Sequence, residues 1–514
     1  MCIRDSGYIW DGHEVFARSG LGLGPAVERQ VAGTGVAGEY DFHATMVGHV
    51  LAGTGYVAAT GSTSAGYSYI GIGMAPRAAL WSGAIATAYS TSTTSIGSFD
   101  TTPASTIPVY RQFFQGISGT RPDVVNSSFG FDDTTATEPE SLSIDALAFE
   151  NPTVTFVAAA GNGSTAPVSA PGNVFNGITV GSVGGTNFRT PSSFSSSGPV
   201  DFYDPATNIT VSGVRAAVDI AAPGELDFLA AYLGPTGGLK PLTSITQDPS
   251  PTDLYFTNED GTSFASPTVA GGVALMKDAA KGIFGIPETA LDSRVVKAVL
   301  MATSARTDGW NNGQATVGGV VRTTQALDYA TGAGALDLTT AGLTYVNAPT
   351  IDLAGSAGGT IGQSGWDLGA VGVGGATDYT FSSTLAAPSE LQVSLDWFAN
   401  GIFSATTDTG TRNAFANLDL QVWSVVNGSF NTLVAESTSL YNNAEFLRFT
   451  LPQGGLYGLR VSLPQMVYDI GSTPVTAETY GLAWNMVVVP EPSAAALAAI
   501  GAALAAAMVR RRRS

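Results

Sequence analysis

The chain has 514 residues, 44% of them apolar and only 12% charged, with 63 glycines and a formal net charge of −19. That length exceeds a single hydrophobic core, so two or more packed regions are expected, and the apolar content excludes a disordered chain. Four of the 22 basic residues are Arg510 to Arg513, so the body is more acidic still, and nucleic acid, which needs a basic face, is excluded as a partner. A single cysteine, Cys2, excludes an internal disulfide framework and a cysteine metal centre.

At the N-terminus, "MCIRDSGYIW" lacks the basic stretch, apolar run and small-residue cleavage site of a secretory signal. Residues 1–6 read as a truncated or artefactual leader outside the fold. The apolar Tyr8-Ile9-Trp10 reads as a buried strand, which delivers Asp11 to the carboxyl end of a parallel sheet, where α/β sites are built. Asp5, in Arg-Asp-Ser-Gly, is the alternative carboxylate, and Asp11 is favoured. "DFHATMVGHV" (41–50) holds two of the three histidines, the third being His13. His43 and His49 are six residues apart, roughly 600° of helix rotation, so their rings point about 120° apart and cannot share a metal ion. His49 therefore reads as structural.

Strand-like apolar runs follow in "YIGIGMAPRAALWSGAI" (69–85), "DVVNSSFG" (123–130) and "FVAAAGNGS" (156–164). "NEDGTSFASPTVAGGVALMK" (258–277) reads as a turn at Gly261-Thr262 and then a helix. Ala265, Ser266, Ala270, Gly271 and Gly272 are small enough to let that helix lie close on a sheet. Pro267 fits if it falls in the first turn, where no intrahelical donor is required. Ser263 then sits at the helix N-terminus, where free backbone N–H groups face a developing anion. A serine nucleophile needs a base, and the base an orienting carboxylate.

The run Gly-Thr-Ser-x-Ala-Ser-Pro-x-Val-Ala-Gly, with the earlier blocks in this order, resembles the subtilisin-like serine proteases, the subtilases, over residues 7 to about 345. "FHATMVGHVLAG" resembles that family's histidine block, with Ala44 for a glycine and Met46 for its second histidine. The resemblance implies an α/β fold, a three-layer domain around a mostly parallel sheet. It also implies Ser263 as nucleophile, His43 as base, Asp11 as orienting acid and Asn162 as oxyanion donor. Ser127, Ser128, Phe129, Gly130, Ala160 and Gly161 would line the substrate cleft, which pairs with an extended peptide backbone. No metal ligand set is assigned and no cofactor is required. A structural Ca²⁺ is the one ion the family suggests, and "DFYDPATN" (201–208) offers carboxylates for it.

Beyond residue 345 the texture changes. A Gly-rich stretch, 346–376, reads as a linker. "LQVSLDW", "NLDLQVWS", "LRFTL" and "LYGLRVSL" alternate apolar and polar residues, and Asn427-Gly428 is a hairpin turn. Residues 377–488 therefore read as a β-sandwich, resembling the jelly-roll accessory domains that follow some subtilase domains. Residues 489–514 hold Pro490-Glu491-Pro492, an apolar run from Ala494 to Val509 and four arginines. Sixteen helical residues span roughly 24 Å, a little short of a hydrocarbon core of about 30 Å. This tail resembles the PEP-CTERM sorting signal, which implies export, inner-membrane contact through an anchor helix at 494–509 and an exosortase-type processing partner. The expectation is a secreted or envelope-associated serine endopeptidase acting on protein or peptide substrates. The alternative is a catalytically impaired binding protein on the same scaffold.

Overall fold

The computed structural model describes residues 2–18, 22–55, 71–89, 99–225, 227–230, 255–282, 286–347 and 358–488. Seven parallel strands form the first sheet: β1 (Cys2–Asp5), β2 (Val27–Ala32), β3 (Leu80–Ala84), β4 (Val124–Ser127), β5 (Thr155–Ala159), β6 (Ile178–Gly184) and β7 (Ile220–Pro223). Their spatial order is β7-β6-β5-β4-β1-β3-β2, with the short antiparallel strand Thr190–Pro191 attached to β6. Successive residues of these strands enter cores on opposite faces, as the pleat requires. Val124 and Val157 meet helices α1 (Phe42–Ala52), α4 (Thr262–Gly282) and α5 (Ser293–Ala302), whereas Val125, Phe156 and Ala158 meet α2 (Pro103–Gln115) and α3 (Pro139–Glu150). The result is three layers. Small residues on α4 make the close approach possible: a Cβ on Gly271 would lie 2.5 Å from the Met74 Cβ.

Cys2–Asp5, expected outside the fold, is the strand between β3 and β4, paired in parallel with both. Tyr8-Ile9-Trp10, expected as a strand, is a connection whose backbone is held by side chains, Ile9 N–H donating to Ser82 Oγ and Trp10 N–H to Thr45 Oγ1. Apolar content misled, because Ile9 is buried under α1 from a loop.

Two further sheets follow. A larger one runs Ala315–Val317, Val320–Thr323, Ser429–Ser437, Thr409–Val426, Tyr457–Asp469, Ala376–Phe381, Gly358–Ile361, with Asn400–Ser404 beside Thr409–Val426. A four-stranded one runs Ser364–Gly372, Ala477–Val488, Ser389–Trp397, Ala444–Thr450. They share a core in which Tyr379, Leu418, Leu420 and Leu459 meet Leu391, Val393, Leu395, Trp397, Leu482 and Trp484. The expected linker is partly strand, since Gly358–Ile361 and Ser364–Gly372 belong to these sheets. Nor do the sheets stand apart from the three-layer region: Val320–Thr323 pairs with Ser429–Ser437, and Trp366 and Ala483 enter the core that holds α1, α4 and α5. Among the described residues no helix is long and apolar enough to cross a membrane. The expected anchor, 494–509, lies outside the described residues.

Candidate active site

The strand order reverses direction at β1: the chain leaves it for β3 and β2 on one side and returns to β4 on the other. Crevices at such switch points, beyond the carboxyl ends of the strands, are where open α/β sheets hold their ligands. Asp5 closes β1 there, with its side chain buried. Its Oδ2 lies 2.8 Å from His43 Nδ1, and its Oδ1 accepts the Ser6 N–H at 2.8 Å. His43 is the second residue of α1, whose N-cap is Asp41, and its side chain is 22% exposed. Burial pulls the His43 pKa down, but the charge and hydrogen bond of Asp5, joined by Asp41 and Glu259, outweigh it and raise the value to about 9. Asp11 is elsewhere. Its Oδ2 accepts the Val27 N–H at 3.3 Å, at the start of β2, two strands away from β1 and at the other end of the strands from Asp5. The carboxylate beside His43 is therefore Asp5, and the favoured reading of Asp11 is corrected.

His49 is separate, as its helical phase requires. Ala230 N–H donates to its Nδ1 at 2.9 Å, so the Nε2–H is the donor to Gly71 O at 2.7 Å. Burial pushes its pKa down to about 4, which keeps this neutral clamp between α1 and the strand Asp227–Ala230.

Ser263 is the second residue of α4, and its hydroxyl donates to Ser128 O at 3.1 Å. Ser128 Oγ returns a hydrogen bond to Ser263 O at 2.9 Å. Behind them, Ser266 Oγ donates to Asn126 Oδ1 at 2.7 Å and Asn126 Nδ2 to Ser128 Oγ at 3.0 Å, a buried relay that locks the end of β4 to the start of α4. Nothing in the sequence marked Asn126 or Ser266 for this. Asn162 Oδ1 accepts both Thr262 N–H and Thr262 Oγ–H at 2.9 Å, which fixes the amide beside the helix start. Gly161 precedes it at φ +102°, a backbone that favours glycine.

A cavity of about 450 Å³ opens beside Ser263, and Ser128, Phe129, Gly130, Gly161 and Asn162 all line it. Two expected cleft residues do not. Ser127 turns its hydroxyl to Tyr110 OH at 3.0 Å, and Ala160 packs among Val168, Val200, Ala217 and Val218. The first follows from strand alternation, which sends every second side chain inward, and the second from the turn just past β5. The sequence reading missed Phe131, Asp132 and Ser169, which complete the wall from loops without a period. The carboxylates of 201–208 are used locally: Asp204, at the end of the strand Val200–Asp204, accepts from Ala206 N–H and Thr207 Oγ–H, and Asp201 accepts from Gly213 N–H. Among the described residues, one group of three acid or histidine side chains has its ligand atoms within 4.8 Å, and it is Asp5, Asp41 and His43.

The model of the subtilase family matches residues 2–334. The chain belongs to the subtilase family. It is accordingly a serine-type peptidase with the subtilisin-like α/β fold. A second match, to the PEP-CTERM protein-sorting motif, covers residues 488–513 and supports export, envelope association and processing by an exosortase. No curated protein matches this subtilase. Among solved structures it is similar to the prenylagaramide maturation protease PagA, at 18% identity and a TM-score of 0.43, over 67% of this chain and 94% of that one. It is also similar to a serine protease of Aeromonas sobria, at 14% identity and a TM-score of 0.44, over 95% of this chain and 88% of that one.

Proposed function

We propose that this subtilase is an exported endopeptidase that cuts peptide bonds through Ser263, His43 and Asp5 by way of an acyl-enzyme. The observation that carries the reading is the 2.8 Å contact of Asp5 Oδ2 with His43 Nδ1 at the switch point of the sheet. That contact fixes the tautomer, leaving Nε2 as the atom that takes a proton. A substrate carbonyl beside Ser263 draws the hydroxyl from Ser128 O toward His43. Oγ attacks the carbonyl carbon, the hydroxyl proton passes to Nε2, and the oxyanion meets the Ser263 N–H and the Asn162 amide. The C–N bond then breaks as His43 returns the proton to the leaving amine, and water hydrolyses the ester by the same route. The open cavity beside Ser128, Phe129 and Gly130 supports side-chain binding within a long peptide. The apolar segment 494–509 would hold the chain in the inner membrane until the sorting motif is processed. The paired C-terminal sheets form a sandwich that braces the peptidase layers.

Labelling with a fluorophosphonate probe tests the reading. The parent chain is expected to take the label and to cut a denatured protein internally, and Ser263→Ala to do neither. A parent that folds but takes no label would overturn it in favour of a binding protein on a subtilase scaffold.

A further inference from the structure

Behind His43 stands a second buried carboxylate that the three-residue mechanism leaves without a task. Asp41 caps α1, its Oδ2 accepting Ala44 N–H at 2.9 Å. The same oxygen accepts the Ser6 hydroxyl at 2.7 Å, while Ser6 N–H holds Asp5 Oδ1. Ser6 thus ties the two carboxylates together from the strand side, and Asp41 anchors the helix that carries the imidazole. Capping alone does not call for this arrangement, because asparagine or serine caps a helix as well as aspartate does. Burying a second acid beside Asp5 is costly, through desolvation and like-charge repulsion. Both raise the Asp41 pKa above the usual carboxylate range, burial foremost, while His43 pulls it down. What offsets that cost is a cation, and the cation that forms here is the His43 imidazolium.

We propose that Asp41 is a positioning residue which, with Ser6 and Asp5, orients the His43 ring and stabilises its protonated form during acyl transfer. The inference rests on the reading of His43 as the general base. Three acids face that ring: Asp5 from the end of β1, Asp41 from the cap of its own helix and Glu259 from the end of the strand Tyr255–Glu259. The Phe264 ring, 6.1 Å away centroid to centroid, covers it from α4. Asp41 differs from Glu259 in being bonded into the Asp5 side of the site. It acts on the ring's orientation as well as its charge.

The test uses the full chain carrying Asp41→Asn, which keeps a capping oxygen and removes the charge. With only three histidines in the chain, ¹³C-histidine labelling lets the His43 titration be followed by NMR without turnover. The His43 midpoint is expected to fall by about one pH unit, the effect of one opposite charge at this range. The acid limb of kcat/KM should fall with it, kcat should drop several-fold and KM should stay unchanged. Ser6→Ala, which keeps both the charge and the cap, is expected to move the midpoint the same way by less and serves if the asparagine variant does not fold. A His43 midpoint and acid limb that match the parent in these variants would overturn the proposal. A parent chain without fluorophosphonate labelling whose His43 still responds to Asp41→Asn would instead sink the peptidase reading and leave the coupling standing.

Discussion

Pro267 shows how one residue shapes the site. It lies in the second turn of α4, not the first, and has no N–H to give the carbonyl four residues back. That carbonyl belongs to Ser263, and Ser128 Oγ fills the gap at 2.9 Å. The proline thus opens the helix where β4 must be locked to it. The same scale decides the orienting acid. Asp5→Asn should keep the fold and lower kcat by about 10⁴, because an amide favours the wrong imidazole tautomer. Asp11→Asn, at the other end of the strands, should leave kcat within twofold of the parent. Steady-state turnover of a peptide substrate separates the two, and loss of activity in the Asp11 variant alone would reverse the assignment. Ser263, His43 and Asn162 could be singled out because each sits in a distinctive local run, Gly-Thr-Ser-Phe-Ala-Ser-Pro, Phe-His-Ala-Thr and Ala-Gly-Asn-Gly. Asp5 could not, because Cys2–Asp5 is too short to show a period and contains an arginine and an aspartate. Asp41 and Asn126 were invisible for a different reason: their partners are 35 and 140 residues away.

At the scale of elements, α5 joins the two halves of the molecule. Its sequence, "SRVVKAVLMA", has the pattern of an amphipathic helix, and the structure buries all ten residues. Lys297 Nζ lies 3.0 Å from Asp219 Oδ1 and 3.1 Å from Asp396 Oδ1, and it donates to Gly177 O at 3.0 Å. Asp219 precedes β7, and Asp396 is in the strand Ser389–Trp397, so one buried ammonium ties both regions together. Removing one partner of such a cluster leaves like charges buried without compensation. Lys297→Met should therefore lower stability by about 3–5 kcal/mol, read as an earlier urea midpoint at pH 8. The loss should shrink at pH 5, because burial pushes the Asp396 pKa up to about 7 even with the lysine present, and a neutral acid needs no counter-ion. An unchanged midpoint at pH 8 would show that the ion cluster is dispensable. Alternation in the C-terminal strands was plain from the sequence. Their fusion to α3 and α5 was not, since a lysine in a helix carries no mark of whether its partner is water or a buried aspartate.

For the molecule as a whole, activity and stability are set to move in opposite directions with pH. His43 must be neutral to take a proton, and its pKa is held up to about 9, so kcat/KM should climb from pH 7 toward pH 9. In the paired sheets, burial raises Glu445 to about 8 and Glu478 to about 7. The folded chain therefore keeps protons that the unfolded chain has already released above pH 4 to 5, and folding weakens as pH rises through 8. His43 adds to this trend, because its raised pKa contributes stability that is complete below about 6.5 and is lost by about 9. His49 opposes at the acid end: held down to about 4, it costs stability as pH falls below about 6.5. The thermal midpoint should therefore be highest near pH 5, where the gain from the two glutamates outweighs the cost at His49, and several degrees lower at pH 9. Scanning calorimetry of Ser263→Ala, which cannot digest itself, would show this as one cooperative transition, because α3, α5 and Val320–Thr323 bind the two regions into a common core. Two separate transitions would contradict the fused architecture, and a midpoint that rises between pH 6 and pH 9 would contradict the burial of Glu445, Glu478 and the acids around His43.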